Sequence, residues 1–193
     1  MRLNQDMHHG FKITSNTTIE PVSVPFPLQN TVSIHVRHGD KDQEMTLIPF
    51  YDYAAAADQF IARNPLHYTH SLFISSEDPL VIQQAQHLWW SNIGSETNPE
   101  DITSPDKSWV VYFSDIGRMN TGPVSQLIAF GPLNTTYTWI LQLLMALECD
   151  VFVGTRGSNW NRLIDELRCV WVSKCSAPYF EVGPHRDWKG YHW

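Results

Sequence analysis

Thr31-Val32-Ser33-Ile34-His35-Val36, followed at once by Arg37-His38-Gly39-Asp40-Lys41, is the stretch that decides the fold. Its first part is β-branched at Thr31, Val32, Ile34 and Val36 and runs into the turn signal Gly39-Asp40, so a strand and then a loop are expected. From Ile48 to about Ala62, apolar residues at Ile48, Tyr51, Ala55, Phe60 and Ile61 flank an alanine run, which is a helical pattern. The same sequence of events recurs downstream. Ser71-Leu72-Phe73-Ile74-Ser75 reads as a second strand, and Pro79 opens a helix through Ala85 and Leu88 to Trp89. Asn92 to Ser108, with Pro99 and Pro105, reads as a loop, and Trp109 to Phe113 as a third strand. After a long segment containing Gly, Pro and Asn come a helix from Thr138 to Glu148, a strand at Val151-Phe152-Val153 ending at Gly154, and a helix from Trp160 to Arg168. Val170-Trp171-Val172 is read as a last strand.

Strands written as nearly continuous apolar runs, alternating with helices, are the signature of a parallel sheet covered on both faces. The expected class is therefore α/β, a doubly wound Rossmann-like parallel sheet. Residues 1–30 mix Asn, Thr, Pro and His without a period and are read as an irregular lead-in, which leaves 31–193 as one Rossmann-like domain. The length of 193 residues and mass of 22.2 kDa fit one such domain and not two full ones. A hydrophobic content of 42% is enough for a folded core and argues against disorder.

Charge narrows the partners. With 13 basic against 20 acidic residues, a net charge of −7 and no Lys/Arg-rich run, generalised nucleic-acid or anionic-membrane binding is not expected. No stretch approaches the roughly 18 uninterrupted apolar residues of a membrane span, and the first residues lack the apolar region of a signal peptide. The three cysteines, Cys149, Cys169 and Cys175, leave at least one unpaired. Cys169 and Cys175 either close a small loop or remain two thiols. Triplets for N-glycosylation stand at Asn16 and Asn134. His8, His9, His185 and His192 have no metal spacing and read as surface histidines, and the tail Trp188 to Trp193 reads as packing on the core, with contact to a sugar the alternative.

In a doubly wound sheet, ligands bind beyond the C-terminal ends of the strands. Three segments occupy that place: Arg37 to Glu44, Ser76 to Asp78, and Gly154 to Asn159. The first puts a planar guanidinium, an ammonium and a carboxylate close together, and that combination suits phosphate oxygens, with Asp40 holding Arg37 and a solvated surface turn the plainer alternative. In the second, Glu77 and Asp78 either start a helix, favoured by its dipole, or accept the paired N–H groups of a base such as guanine. The third leads glycines, hydroxyls and backbone N–H groups into a helix, a ready phosphate site, with Ser158 as a simple helix cap the plainer alternative.

Taken in order, these motifs resemble the donor-binding half of the α-1,6-fucosyltransferases and the related protein O-fucosyltransferases. His35-Val36-Arg37-His38-Gly39-Asp40-Lys41 is similar to the family's first motif, H-x-R-x-x-D-K. Leu72 to Leu80 resembles its strand and acidic-Asp-Pro segment, Phe113-Ser114-Asp115 an intervening strand end, and Leu141 to Leu167 the helix, strand and Ser-Gln loop of the third motif. Asn159 stands in place of that Gln, and Met45 at the place of the α-1,6 enzymes' base.

The resemblance implies half of a two-domain GT-B fold, binding GDP-fucose without a metal or other cofactor and transferring fucose with inversion to a glycan or glycoprotein. It implies that Arg37 contacts the β-phosphate, His35 and Glu77 or Asp78 the guanine, and Ser158 and Asn159 the diphosphate, with Asp40 and Arg162 in the same donor set. Arg37 and Lys41 stabilise the departing GDP and Glu44 is the candidate base. Asp40-Lys41-Asp42, similar to an Asp-x-Asp metal site, is read instead as part of the arginine loop; Arg162 with Glu166 is alternatively a surface ion pair on a helix. It further implies Golgi or luminal residence and an N-terminal acceptor domain that this chain does not include. Two other readings remain open: a non-catalytic nucleotide-binding remnant, and a histidine phosphatase using Arg37-His38-Gly39.

Overall fold

A computed structural model describes residues 11–15, 18–21, 28–68, 70–86, 110–114 and 116–183. In chain order its elements are β1 (Phe11–Ser15), β2 (Thr18–Pro21), β3 (Val32–Val36), α1 (Phe50–Arg63), β4 (Ser71–Ser76), α2 (Pro79–Gln86), β5 (Val110–Ser114), α3 (Pro123–Phe130), α4 (Pro132–Glu148), β6 (Val151–Gly154), α5 (Asn159–Val170) and β7 (Tyr179–Glu181). A short 3-10 turn, Lys41–Gln43, lies between β3 and α1.

The strands form one sheet in the order β2-β1-β5-β4-β3-β6-β7. From β5 to β7 every pairing is parallel, so five strands make the α/β Rossmann-like sheet the sequence predicts. The parallel part starts at the centre with β3, builds outward through β4 and β5, then returns to the other side of β3 as β6 and β7. That return makes the gap between β3 and β6 the topological switch point.

Side chains of successive strand residues go to opposite faces. On one face Ile34, Ile74, Val111 and Val153 pack with α1 and α2 through Phe50, Tyr53, Ile61 and Val81. On the other, Phe73, Tyr112 and Phe152 pack with α4 and α5 through Leu143, Leu147 and Ile164. Burying both faces is why these strands read as apolar runs rather than as an alternation.

Several elements depart from expectation. Within the lead-in, β1 and β2 form a hairpin that pairs antiparallel and joins the sheet through β1 on β5, so that segment is not wholly irregular. A helix, α3, occupies the segment read as loop, and α4 begins at Pro132 rather than Thr138. Both helices open on proline at a first-turn position, and Gly131, at φ 81°, makes the corner between them. Val170 ends α5, and the last strand is Tyr179–Glu181 instead of Val170-Trp171-Val172.

Cys169 and Cys175 are joined in a disulfide, while Cys149 is a buried free thiol whose pKa burial pushes up. Among the described residues no helix is long and apolar enough to cross a membrane. Asn16, the 92–108 loop, the end of the second helix beyond Gln86, Asp115, the outlying histidines and the Trp-rich tail lie outside the described residues.

Candidate functional site

The loops after β3, β4, β5 and β6 meet around a cleft of about 640 Å³ at the C-terminal ends of the parallel strands. The walls bring together His35, Arg37, Asp40, Lys41, Glu44, Glu77, Ser158 and Asn159, which are the sequence-predicted residues apart from Asp78 and Arg162.

Arg37 leaves β3 between two carboxylates. Its Nη1 pairs with Glu77 Oε1, and its Nη2 lies 2.5 Å from Asp40 Oδ1. Glu77 Oε1 also accepts the His38 backbone N–H at 2.7 Å, so one oxygen ties the β3 and β4 loops together. Gly39 sits at φ +54°, and a Cβ there would press on the Arg37 guanidinium and stand 2.8 Å from the Thr121 carbonyl oxygen. Glycine is required at this corner on both counts. Its N–H donates to Asn120 Oδ1 at 2.7 Å, which draws the β5–α3 loop over the arginine. Lys41, largely buried, extends its ammonium to Glu44. Glu44 faces the cleft, whereas the neighbouring Met45 is packed in the core, its sulfur against Gly157 of the β6 loop.

His35 lies on the α4–α5 side of β3, with Nδ1 2.8 Å from Ser75 Oγ and no partner for Nε2. Burial first, and the charge of Arg37 second, lower its pKa to about 3, so the imidazole is neutral near pH 7. Ser158 is the N-cap of α5, yet its hydroxyl makes no capping bond and is buried with no partner. The start of α5 thus offers a positive helix end and an unused hydroxyl to the cleft. Asn161, one turn in, donates from Nδ2 to the His35 carbonyl oxygen at 3.4 Å and pins α5 to β3.

Asp78 and Arg162 stand elsewhere. Asp78 is 3% exposed and caps α2, its Oδ1 accepting the Leu80 N–H at 2.9 Å and its Oδ2 lying 2.7 Å from His38 Nδ1. Arg162 reaches back along α5 to Asn159 Oδ1.

The β5–α3–α4 segment supplies the wall that the motifs did not announce. Arg118 donates to the backbone oxygens of Ser76 and Ile116 at 3.2 Å and to that of Ser114, bracing the ends of β4 and β5. Gln142 Nε2 donates to Ser114 Oγ at 2.7 Å, and Phe130, Tyr137 and Trp139 add an aromatic, uncharged side. Arg118 is the one charged residue between Ile116 and Leu147, directly after a strand end, and that isolation was the available signal. Among the described residues no group of three or more His, Cys, Asp or Glu side chains is arranged to hold a metal ion. Compared with models of known families and with curated proteins, the chain matches none.

Proposed function

We propose that the cleft binds a nucleoside diphosphate sugar, with GDP-fucose the favoured donor, and that the chain is the donor-binding half of a fucosyltransferase-like glycosyltransferase of GT-B type. The observation that carries this reading is the convergence at one switch-point cleft of Arg37, Lys41 and the α5 N-terminus with its unpartnered Ser158 hydroxyl. Two fixed cations and a helix end form a site for two linked phosphates.

In the transfer, the bond from the sugar anomeric carbon to the β-phosphate oxygen breaks while a bond to the acceptor hydroxyl oxygen forms on the opposite face. Glu44 takes the hydroxyl proton; Arg37 and Lys41 balance the charge developing on GDP, which makes a metal unnecessary. Asp78, which caps α2, is assigned no contact with the base, and Arg162 orients Asn159. The acceptor is a glycan or glycoprotein, met together with an N-terminal acceptor domain. The Cys169–Cys175 disulfide suits an oxidising compartment and supports the Golgi or luminal expectation.

Calorimetric titration of GDP, with orthophosphate as control, tests the reading. GDP is expected to bind where orthophosphate does not, and Arg37→Ala to lose at least tenfold in affinity, equivalent to about 1.4 kcal/mol. Absence of GDP binding to the wild-type chain overturns the reading. GDP binding without transfer leaves the non-catalytic remnant. The phosphatase alternative is disfavoured by His38, whose two ring nitrogens face Asp78 Oδ2 at 2.7 Å and the Ile48 carbonyl oxygen at 3.0 Å, which occupies both potential nucleophilic atoms.

A further inference from the structure

The cations of the cleft already carry partners. Arg37 is shared between Glu77 and Asp40, and Lys41 is paired with Glu44. Among the described residues of the walls, Arg37, Lys41 and Arg118 stand against Asp40, Glu44 and Glu77, so their formal charges cancel. A cleft with no net charge attracts a polyanion weakly, however well its donors are placed.

The three carboxylates differ in how firmly they are held. The Glu77 side chain is 8% exposed, and its Oε1 serves both Arg37 and the His38 N–H. The Asp40 and Glu44 side chains are 43% and 52% exposed, and each meets a single cation. The carboxylate end of each of these pairs is open to water, so it is screened and gives way more readily than the buried Glu77. In the same cleft, His35 Nε2 and Ser158 Oγ belong to side chains more than nine-tenths buried and have no partner. Buried polar atoms normally find one, so these two mark ground where an incoming group is to be bound.

We propose that Asp40 and Glu44 are exchangeable counter-ions occupying the place of two linked anionic groups. A diphosphate enters by ion-pair exchange: it takes Arg37 from Asp40 and Lys41 from Glu44, while Glu77 stays behind Arg37 as a fixed buttress. A lone phosphate can take the place of one carboxylate at most, too little to hold it. Two linked phosphates displace both, the second exchange being intramolecular, so the site selects diphosphates over monophosphates. This inference rests on the diphosphate part of the proposed function and adds its regulation. Donor binding takes Lys41 from Glu44 and so frees the base for the acceptor hydroxyl, which places donor before acceptor.

The test is calorimetric titration of inorganic pyrophosphate into the full chain, with orthophosphate alongside. Asp40→Asn keeps the shape of an exposed side chain and removes the competing charge. Pyrophosphate affinity is expected to rise by about fivefold, the scale of one exposed ion pair, with Glu44→Gln acting likewise through Lys41. Glu77→Gln is expected to weaken binding, because Arg37 loses its fixed partner. An unchanged or lower affinity in Asp40→Asn overturns the exchange and leaves Asp40 as a positioning residue for Arg37. Failure of pyrophosphate to bind either the wild type or Asp40→Asn overturns it as well.

GDP titrated in parallel separates this inference from the nucleotide reading. Pyrophosphate behaving as expected, with GDP binding no more tightly, keeps the exchange and removes the nucleotide. GDP binding that ignores Asp40→Asn keeps the nucleotide and removes the exchange.

Discussion

His35 turns the chemistry of the cleft wall into a property of the whole chain. Its pKa is lowered from 6.5 to about 3, mainly by burial and further by Arg37. Between those values the unfolded chain binds a proton that the folded chain refuses, so folding stability falls as pH drops from about 6.5 towards 3. A single such group gives a slope of at most about 1.4 kcal/mol per pH unit. His35→Gln is expected to flatten the profile between pH 6.5 and 5 relative to wild type, measured by urea unfolding. Parallel profiles for the two proteins would refute the assignment. The residue types at the site were legible because a cation pair directly behind a strand has little structural use. Their pairings were not: that Glu77 turns to Arg37 while Asp78 turns to α2 and His38 depends on how two loops pack, which spacing does not encode.

Individual elements follow from equally local causes. The C-terminus of α4 ends at Cys149 in an extended conformation, without a left-handed glycine to close it. Its last carbonyls are met by cations instead. Arg168, fully buried on α5, donates to the oxygens of Cys149 at 2.7 Å and Asp150 at 2.8 Å, and Lys174 reaches Leu147, Glu148 and Cys149. Both cations also favour the negative end of the helix. Arg168→Met is therefore expected to cost about 3 kcal/mol in chemical denaturation, because it strips buried carbonyls of a charged donor. Arg162→Ala, on an outer turn of the same helix, is expected to stay within about 0.5 kcal/mol.

The elements that sequence missed have local physical reasons. Pro123 and Pro132 read as breakers, yet each stands where a helix begins and an N–H has no intrahelical use. Val170-Trp171-Val172 has strand-like residues, but the periodicity from Ile164 carries the helix through Val170, and the chain pairs only after the turn at Lys174 to Ala177.

At the scale of the molecule, the Cys169–Cys175 bridge closes a loop of separation 6 between α5 and β7, the stretch that carries Lys174 to the end of α4. A crosslink of this size stabilises mainly by restricting the unfolded chain, by about 2 kcal/mol. Thermal unfolding with and without a reductant is expected to show a lower midpoint for the reduced protein. The double variant Cys169→Ser, Cys175→Ser should lie with the reduced form and be insensitive to reductant. Equal midpoints throughout would mean the bridge adds nothing to stability.

The two outermost strands bear on how the protein behaves in a crowd. One margin of the sheet is β7, three residues long and entered from Pro178; the other is β2, four residues long and closing on Pro21, which has no N–H to offer. A bare strand edge is a template on which another chain can add itself, and brevity and proline are the usual defences. Among the described residues both margins are blunted in this way, and such short edges give another copy of the chain little to zip onto.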